Sequence, residues 1–157
     1  MDKIILVDER PYTIEHNGIY CLTASFLRVF FKNIHTRNFI MIRIIVAGSR
    51  DYHDYELMES IIDAVRMREN KPVAIVSGGA RGADKLGEKY AKEHNLELHI
   101  YEANWSKYGR GAGFVRNEEM ADNADMLLAF WDGKSNGTKH MIRTARKAGL
   151  PTELFIQ

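Results

Sequence analysis

The chain has 157 residues, 45% hydrophobic and 27% charged, values that exclude a disordered or collagen-like protein and leave room for one ordinary domain with a core. Its 22 Lys and Arg against 21 Asp and Glu give a net charge of +1, which argues against a protein drawn as a whole onto nucleic acid or an anionic membrane. A single Cys21 excludes an internal disulfide, no apolar run approaches the ~20 residues of a membrane span, and Met1 to Val7 is too short for a signal-peptide core, so a cytoplasmic domain is expected.

The first forty residues differ in texture from the rest. Ile4 to Val7 reads as a strand, and Asn17-Gly18 between Thr13-Ile14-Glu15 and Ile19 to Leu22 is a two-residue hairpin signal. Ser25 to Asn33 reads as a short helix with Phe26, Leu27, Phe30 and Phe31 on one face. Met41-Ile42-Arg43 then looks like a protein starting again. Two readings of 1–40 stay open: an added hairpin and helix covering a sheet edge or a partner surface, or a mis-called reading frame ahead of a true start at Met41.

From residue 41 to 157 strands and helices alternate. Ile42 to Ala47 is a buried strand ending at Gly48-Ser49-Arg50. Asp54 N-caps a helix to about Arg68, with Leu57, Ile61 and Val65 on one face beside Met58 and Ile62. Pro72 precedes a second strand, Val73 to Val76, which runs into the turn SGGARGAD, Ser77 to Asp84. A helix to His94 follows, carrying Ala83, Leu86, Tyr90 and Ala91 inward, and then a third, nearer-edge strand, Leu96 to Tyr101. A long connection, Glu102 to Gly113, leads to a helix from about Phe114 to Asn123. Met126 to Trp131 is the fourth strand, and Asp132 to Thr138 a glycine-bearing loop. A helix to Lys147 stops at Gly149 with Pro151 beyond, and Glu153 to Ile156 is a fifth strand. This order predicts an α/β fold: a doubly wound, mostly parallel five-stranded sheet with helices on both faces.

In such a sheet ligands sit at the carboxyl ends of the strands, where the winding reverses. Three glycine-bearing turns should share that rim: Gly48, Ser49 and Arg50; Ser77, Gly78, Gly79, Ala80, Arg81 and Gly82; and Gly133, Ser135, Gly137 and Thr138. Absent Cβ atoms let backbone N–H groups approach a phosphate, and the helix dipole points to the same place. The expectation is that Gly78, Gly79 and Gly82 amides take phosphate with Ser135 and Thr138, while Arg81 and Arg116 balance its charge. Arg50 and Arg81 suit phosphate or carboxylate, or pair with Asp51, Asp54 or Asp84. Asp84 reads as a capping acid in the first helical turn. Arg116-Asn117 caps a helix or reaches the rim, and Trp105 and Tyr108 stack on a base or form a packed lid. The six His show no metal spacing and no Ser-His-Asp signature is present, so neither metal nor cofactor is expected.

GSRDY, VSGGARGAD, NWSKYGRGAGFVRNEEM and FWDGKSNGT, in that order, resemble the SLOG superfamily, specifically its small stand-alone YspA-like bacterial and phage members, from Met41 to about Phe155. The resemblance implies a Rossmann-like sheet, a nucleotide or nucleotide-derived ligand, and a homodimer or tetramer. Relatives include the cytokinin-activating phosphoribohydrolases, the sensor domains of Thoeris defence effectors and the DNA-processing protein DprA. Against the phosphoribohydrolases, R-K-x-x-M matches Arg116, Asn117 and Met120 with Asn in place of Lys, and P-G-G-x-G-T-x-x-E matches Gly133, Gly137 and Thr138 with this loop one residue longer. Their catalytic glutamate falls on Met141. A carboxylate stabilises an oxocarbenium-like centre and activates water; a thioether does neither. The expectation is therefore a binding module for a nucleotide or ADP-ribose-like ligand, sensing or sequestering it with no catalytic residue. The alternative is an N-glycosidase on nucleoside monophosphates, with Arg116 orienting substrate and Asp84 or Asp132 standing in as the acid. Single-strand DNA binding like that of DprA is more distant, with the net charge against it.

Overall fold

The computed structural model describes residues 3–7, 10–15, 18–21 and 41–156. The chain divides into two compact units, Met1–Phe39 and Ile40–Gln157. The first holds three antiparallel strands, β1 (Lys3–Val7), β2 (Arg10–Glu15) and β3 (Gly18–Cys21). Glu15 pairs with Gly18, so the Gly18 expected in the hairpin turn already belongs to β3. The helix expected at Ser25 to Asn33 lies outside the described residues.

The second unit runs β4 (Ile42–Gly48), α1 (Tyr55–Glu69), β5 (Val73–Ser77), α2 (Ala83–Glu93) and β6 (Glu97–Ile100). A one-turn helix α3 (Trp105–Tyr108) and a 3-10 turn (Gly109–Gly111) lead to α4 (Ala112–Asp122), β7 (Met126–Trp131), α5 (Asn136–Lys147) and β8 (Thr152–Ile156). The five strands lie in the order β6-β5-β4-β7-β8, every pairing parallel. This is the doubly wound α/β sheet expected.

Side chains alternate across a strand, and β4 is apolar on both faces because both are covered. Ile44 and Val46 join Met58 and Ile62 of α1 and Tyr90 of α2 in one core cluster. Ile45 and Ala47 join Met120 of α4 and Met141, Ile142 and Ala145 of α5 in the other. The chain winds outward from β4 to β6, then returns past β4 to β7 and β8. Right-handed crossovers therefore put α1 and α2 on one face and α4 and α5 on the opposite face. The winding reverses between β4 and β7, and Ser49 ties those two ends together: its amide donates to the Phe130 carbonyl at 2.8 Å and its hydroxyl accepts from the Asp132 amide at 3.0 Å.

Local signals act as read in most places. Asp54 Oδ1 accepts from the Leu57 amide at 3.0 Å, and α5 ends at Gly149 with φ 78° and a Leu150 amide bond back to the Ala145 carbonyl at 2.9 Å. Two expectations need correction. Leu57 is exposed, since the buried stripe of α1 is Met58, Ile62 and Val65 and Leu57 stands one position off it. The connection after β6 is largely helical and α4 starts at Ala112, because Asn104 caps α3 by accepting from the Lys107 amide at 2.9 Å and Gly109 and Gly111 sit inside the 3-10 turn. Among the described residues no helix is long and apolar enough to cross a membrane.

The contact of α2 with β4 is set by Gly87: a Cβ built there lies 2.8 Å from Val46 Cβ and Cγ1. Glycine in a helix interior normally costs about 1 kcal/mol relative to alanine, so Gly87→Ala would stabilise an isolated helix. Here overpacking against a β-branched side chain wins. Urea denaturation should show Gly87→Ala less stable by about 1–3 kcal/mol; a raised midpoint would mean that α2 is free to move off the sheet.

Candidate functional site

Three of the parallel strands, β4, β5 and β7, finish in the glycine-bearing turns, and the turns meet. Ser49 O accepts from the Ala83 amide at 3.3 Å, and Ser49 Oγ accepts from the Asp132 amide. A Cβ on Gly82 would overlap Ser49 O and crowd the Arg50 carbonyl group, so only glycine lets the second turn approach the first so closely; its φ of 73° makes the same demand. The rim encloses a cleft of about 720 Å³, within the range of small-molecule sites.

At the bottom of the β5 turn is a buried carboxylate. Asp84 is 4% exposed, and its Oδ2 accepts from the Gly78 amide at 3.1 Å and the Ala80 amide at 3.3 Å. The Gly79 amide donates to Ser77 Oγ at 3.0 Å. Burial pushes the Asp84 carboxyl above its ordinary range, against the pull of Arg116 and of the Ala80, Gly78 and Gly48 amides. Arg116, from the second turn of α4, closes over the loop. Its Nη1 donates to the Gly78 carbonyl and lies 3.9 Å from Asp84 Oδ2, while its Nε donates to Asn117 Oδ1 at 3.1 Å. Burial lowers the Arg116 guanidinium from its usual value and Asp84 opposes this.

This geometry revises several sequence expectations. Asp84 does not cap its own helix but fastens the preceding turn from below. The Gly78 and Gly79 amides assigned to phosphate are engaged by Asp84 and Ser77. Ser135 Oγ accepts from the Thr138 amide and from Thr138 Oγ1, so this pair caps α5 and Thr138 is buried. Gly48, Ser49, Ser77, Gly82, Asp84, Gly133, Ser135 and Thr138 shape the rim or lie beneath it but do not line the cleft, and neither does Tyr108, whose ring carries Lys107 Nζ at 4.7 Å from its centroid. Lining the cleft are Arg50, Gly78, Gly79, Ala80 and Arg81, together with Trp105, Arg116, Asn117 and Gly137.

Sequence reasoning passed over Lys85, Ile100, Glu102, Ala103, Arg110, Gly113 and Phe114, all in the lining. For Glu102 and Ala103 the available signal was position, immediately beyond the carboxyl end of the strand beside the glycine turn. Phe114 offers an exposed aromatic on the first turns of α4, and it stacks on His140 with ring centroids 4.3 Å apart. Burial lowers the pKa of that imidazole.

The lining carries four arginines and a lysine against the carboxylate of Glu102. Arg116 faces Asp84, and Lys85 Nζ reaches Glu88 Oε2 at 2.8 Å. Arg50, Arg81 and Arg110 form no ion pair among the described residues. A chain of net charge +1 thus concentrates cations in one place, and its overall neutrality no longer counts against a nucleic acid or other polyanion. Trp105 stands 58% exposed in the same lining.

Fold and site together define an open, parallel α/β domain with a cationic cleft at the ends of its strands. The model of the YspA, cpYpsA-related SLOG family matches residues 42–108. Gene 61 protein of Mycobacterium phage D29 is 36% identical over 121 residues, covering 73% of this chain and 97% of that one. The chain belongs to the YspA, cpYpsA-related SLOG family. Among solved structures, DNA processing protein A from Helicobacter pylori, described for its single-stranded DNA binding mode, is similar with a TM-score of 0.50 at 21% identity over 72% of this chain. This chain spans 64% of that protein's length, and the likeness is one of fold.

A Cβ on Gly78 would overlap the Arg116 guanidinium, so Gly78→Ala should evict that side chain and leave Asp84 without its cation, at a cost on the order of 1–3 kcal/mol. A Cβ on Gly111 meets nothing within 4 Å, and Gly111→Ala should be neutral or slightly stabilising. In an Arg116→Ala background Gly78→Ala should add little, because the overlap is gone. Additive losses in urea denaturation would show that the two residues do not share one contact.

Proposed function

We propose that the domain binds a nucleotide or nucleotide-derived ligand of the ADP-ribose kind in the cleft, as a sensing or sequestering module. The observation that carries this reading is the clustering of Arg50, Arg81 and Arg110, none in an ion pair among the described residues, with an exposed Trp105 in the same lining as the glycine turn. Guanidinium groups take phosphate oxygens in pairs, and an indole face takes a base. With the Gly78 and Ala80 amides held by Asp84, the anion is received by arginine side chains. Binding without cleavage fits the position of Met141, which is 1% exposed within the core where the related phosphoribohydrolases carry a glutamate. Asp84, buried and bonded to its own loop, is a poor substitute acid.

A second reading has one observation in its favour. Exposed arginines beside exposed Trp105 and Phe114 also suit the backbone and bases of single-stranded DNA, the ligand described for the H. pylori protein of similar fold.

A melting-temperature screen across inorganic pyrophosphate, AMP, ADP, ADP-ribose and NAD separates these. A ligand at a hundred times its Kd adds about 2.7 kcal/mol, on the order of 10 °C for a domain of this size. The expected outcome is such a rise with at least one nucleotide, with affinity reduced at least tenfold by Arg50→Ala with Arg81→Ala. Free base released from AMP would establish the N-glycosidase alternative instead. Tight, salt-sensitive retention of oligodeoxythymidylate with no nucleotide response would favour the DNA reading.

A further inference from the structure

Glu102 is the one carboxylate among the lining side chains of the cleft, opposite four arginines and a lysine. Beside a phosphate site a carboxylate is repulsive, and Glu102 neutralises no cation: it forms no ion pair among the described residues. What a carboxylate does there that a cation cannot is accept hydrogen bonds from hydroxyl groups.

Its place in the fold points to which hydroxyls. Strand β5, the glycine turn, α2 and the parallel neighbour β6 make one βαβ unit. The ladder between β5 and β6 extends to the Tyr101 amide, which donates to the Ser77 carbonyl at 2.8 Å, so Glu102 leaves the sheet beside the turn. Ile100 Cγ2 lies 3.5 Å from a Cβ built on Gly79, which fixes how close the end of β6 comes to the glycines. Glu102 follows Gly82 by twenty positions. In dinucleotide-binding βαβ units, an acidic residue about 20 positions past the glycine turn, at the end of the second strand, accepts from the ribose 2′-hydroxyl.

We propose that Glu102 recognises the vicinal hydroxyls of a ribose, making the ligand class of this cleft ribonucleotides and not deoxyribonucleotides. The proposal rests on the reading of the cleft as a nucleotide site. Phosphate lies against the arginines, the sugar is gripped by Glu102, and Trp105, three residues further on, covers the base. A charge-assisted hydrogen bond lost with the 2′-hydroxyl corresponds to about a tenfold loss of affinity or more.

The test uses the full chain in titration calorimetry with each of the four ribonucleoside 5′-diphosphates, their 2′-deoxy counterparts and inorganic pyrophosphate, on wild type and Glu102→Ala, which removes the acceptor. Wild type should bind at least one ribonucleotide about tenfold tighter than its deoxy partner or better. Glu102→Ala should bring the two together while binding pyrophosphate as well as wild type or better, since the acceptor and its negative charge have gone. Equal binding of ribo and deoxy ligands by wild type, or a preference that survives Glu102→Ala, overturns the role of Glu102 and leaves the cleft as a phosphate site. Failure of every probe, pyrophosphate included, overturns the nucleotide reading and this proposal with it.

Discussion

The β5 turn is organised by a negative charge that belongs to the protein. Asp84, almost inaccessible, gathers the Gly78 and Ala80 amides and faces Arg116. A buried carboxylate is tolerable only when hydrogen-bonded and matched by a cation, so the turn, the first turn of α2 and the side chain from α4 are bound into one arrangement. The glycines serve that arrangement. Gly78 leaves room for the Arg116 guanidinium and Gly82 for the backbone at Ser49 and Arg50. The Gly78 and Ala80 amides are thus committed inward, and the cationic groups that line the cleft around the loop are side chains.

Topology supplies those side chains from distant parts of the chain. Reversal of the winding between β4 and β7 opens the sheet's carboxyl edge, and the right-handed crossovers bring α4 across from the β6 side. Arg50 comes from the end of β4, Arg81 and Lys85 from the β5 turn and α2, and Arg110 and Arg116 from the segment after β6. The result is a positive cleft on a nearly neutral protein.

Much of the fold was legible because its signals are local. Capping by Asp54, the Gly149 stop and the doubly apolar strand β4 each follow from a few neighbouring residues. Leu57 was misplaced because adjacent apolar positions on a helix define two stripes, and only packing on the sheet selects one. The site was half legible. Glycine turns announce a rim, but nothing in SGGARGAD reveals that its aspartate reaches back to the amides its glycines expose, since that depends on the path of the turn in space. The charge of the cleft was hidden for a related reason: Arg50, Arg81 and Arg110 are scattered in sequence, and a whole-chain sum cancels them against acids elsewhere. Met141, by contrast, was read from one aligned position, and its side chain is buried in the core between the sheet and α5.

In the proposed binding mode the Gly78 and Ala80 amides stay with Asp84 while arginine side chains receive the anion. Titration of isotope-labelled protein with inorganic pyrophosphate, followed by NMR at the backbone amides and the arginine side-chain N–H groups, addresses that claim directly. The prediction is that side-chain signals of Arg50, Arg81 and Arg110 move strongly while those of Arg116, the Gly78 and Ala80 amides and the Asp84 carboxyl carbon stay in place. Large shifts at those amides, with release of the Asp84 carboxylate, would show that the loop itself is the anion seat and contradict the account.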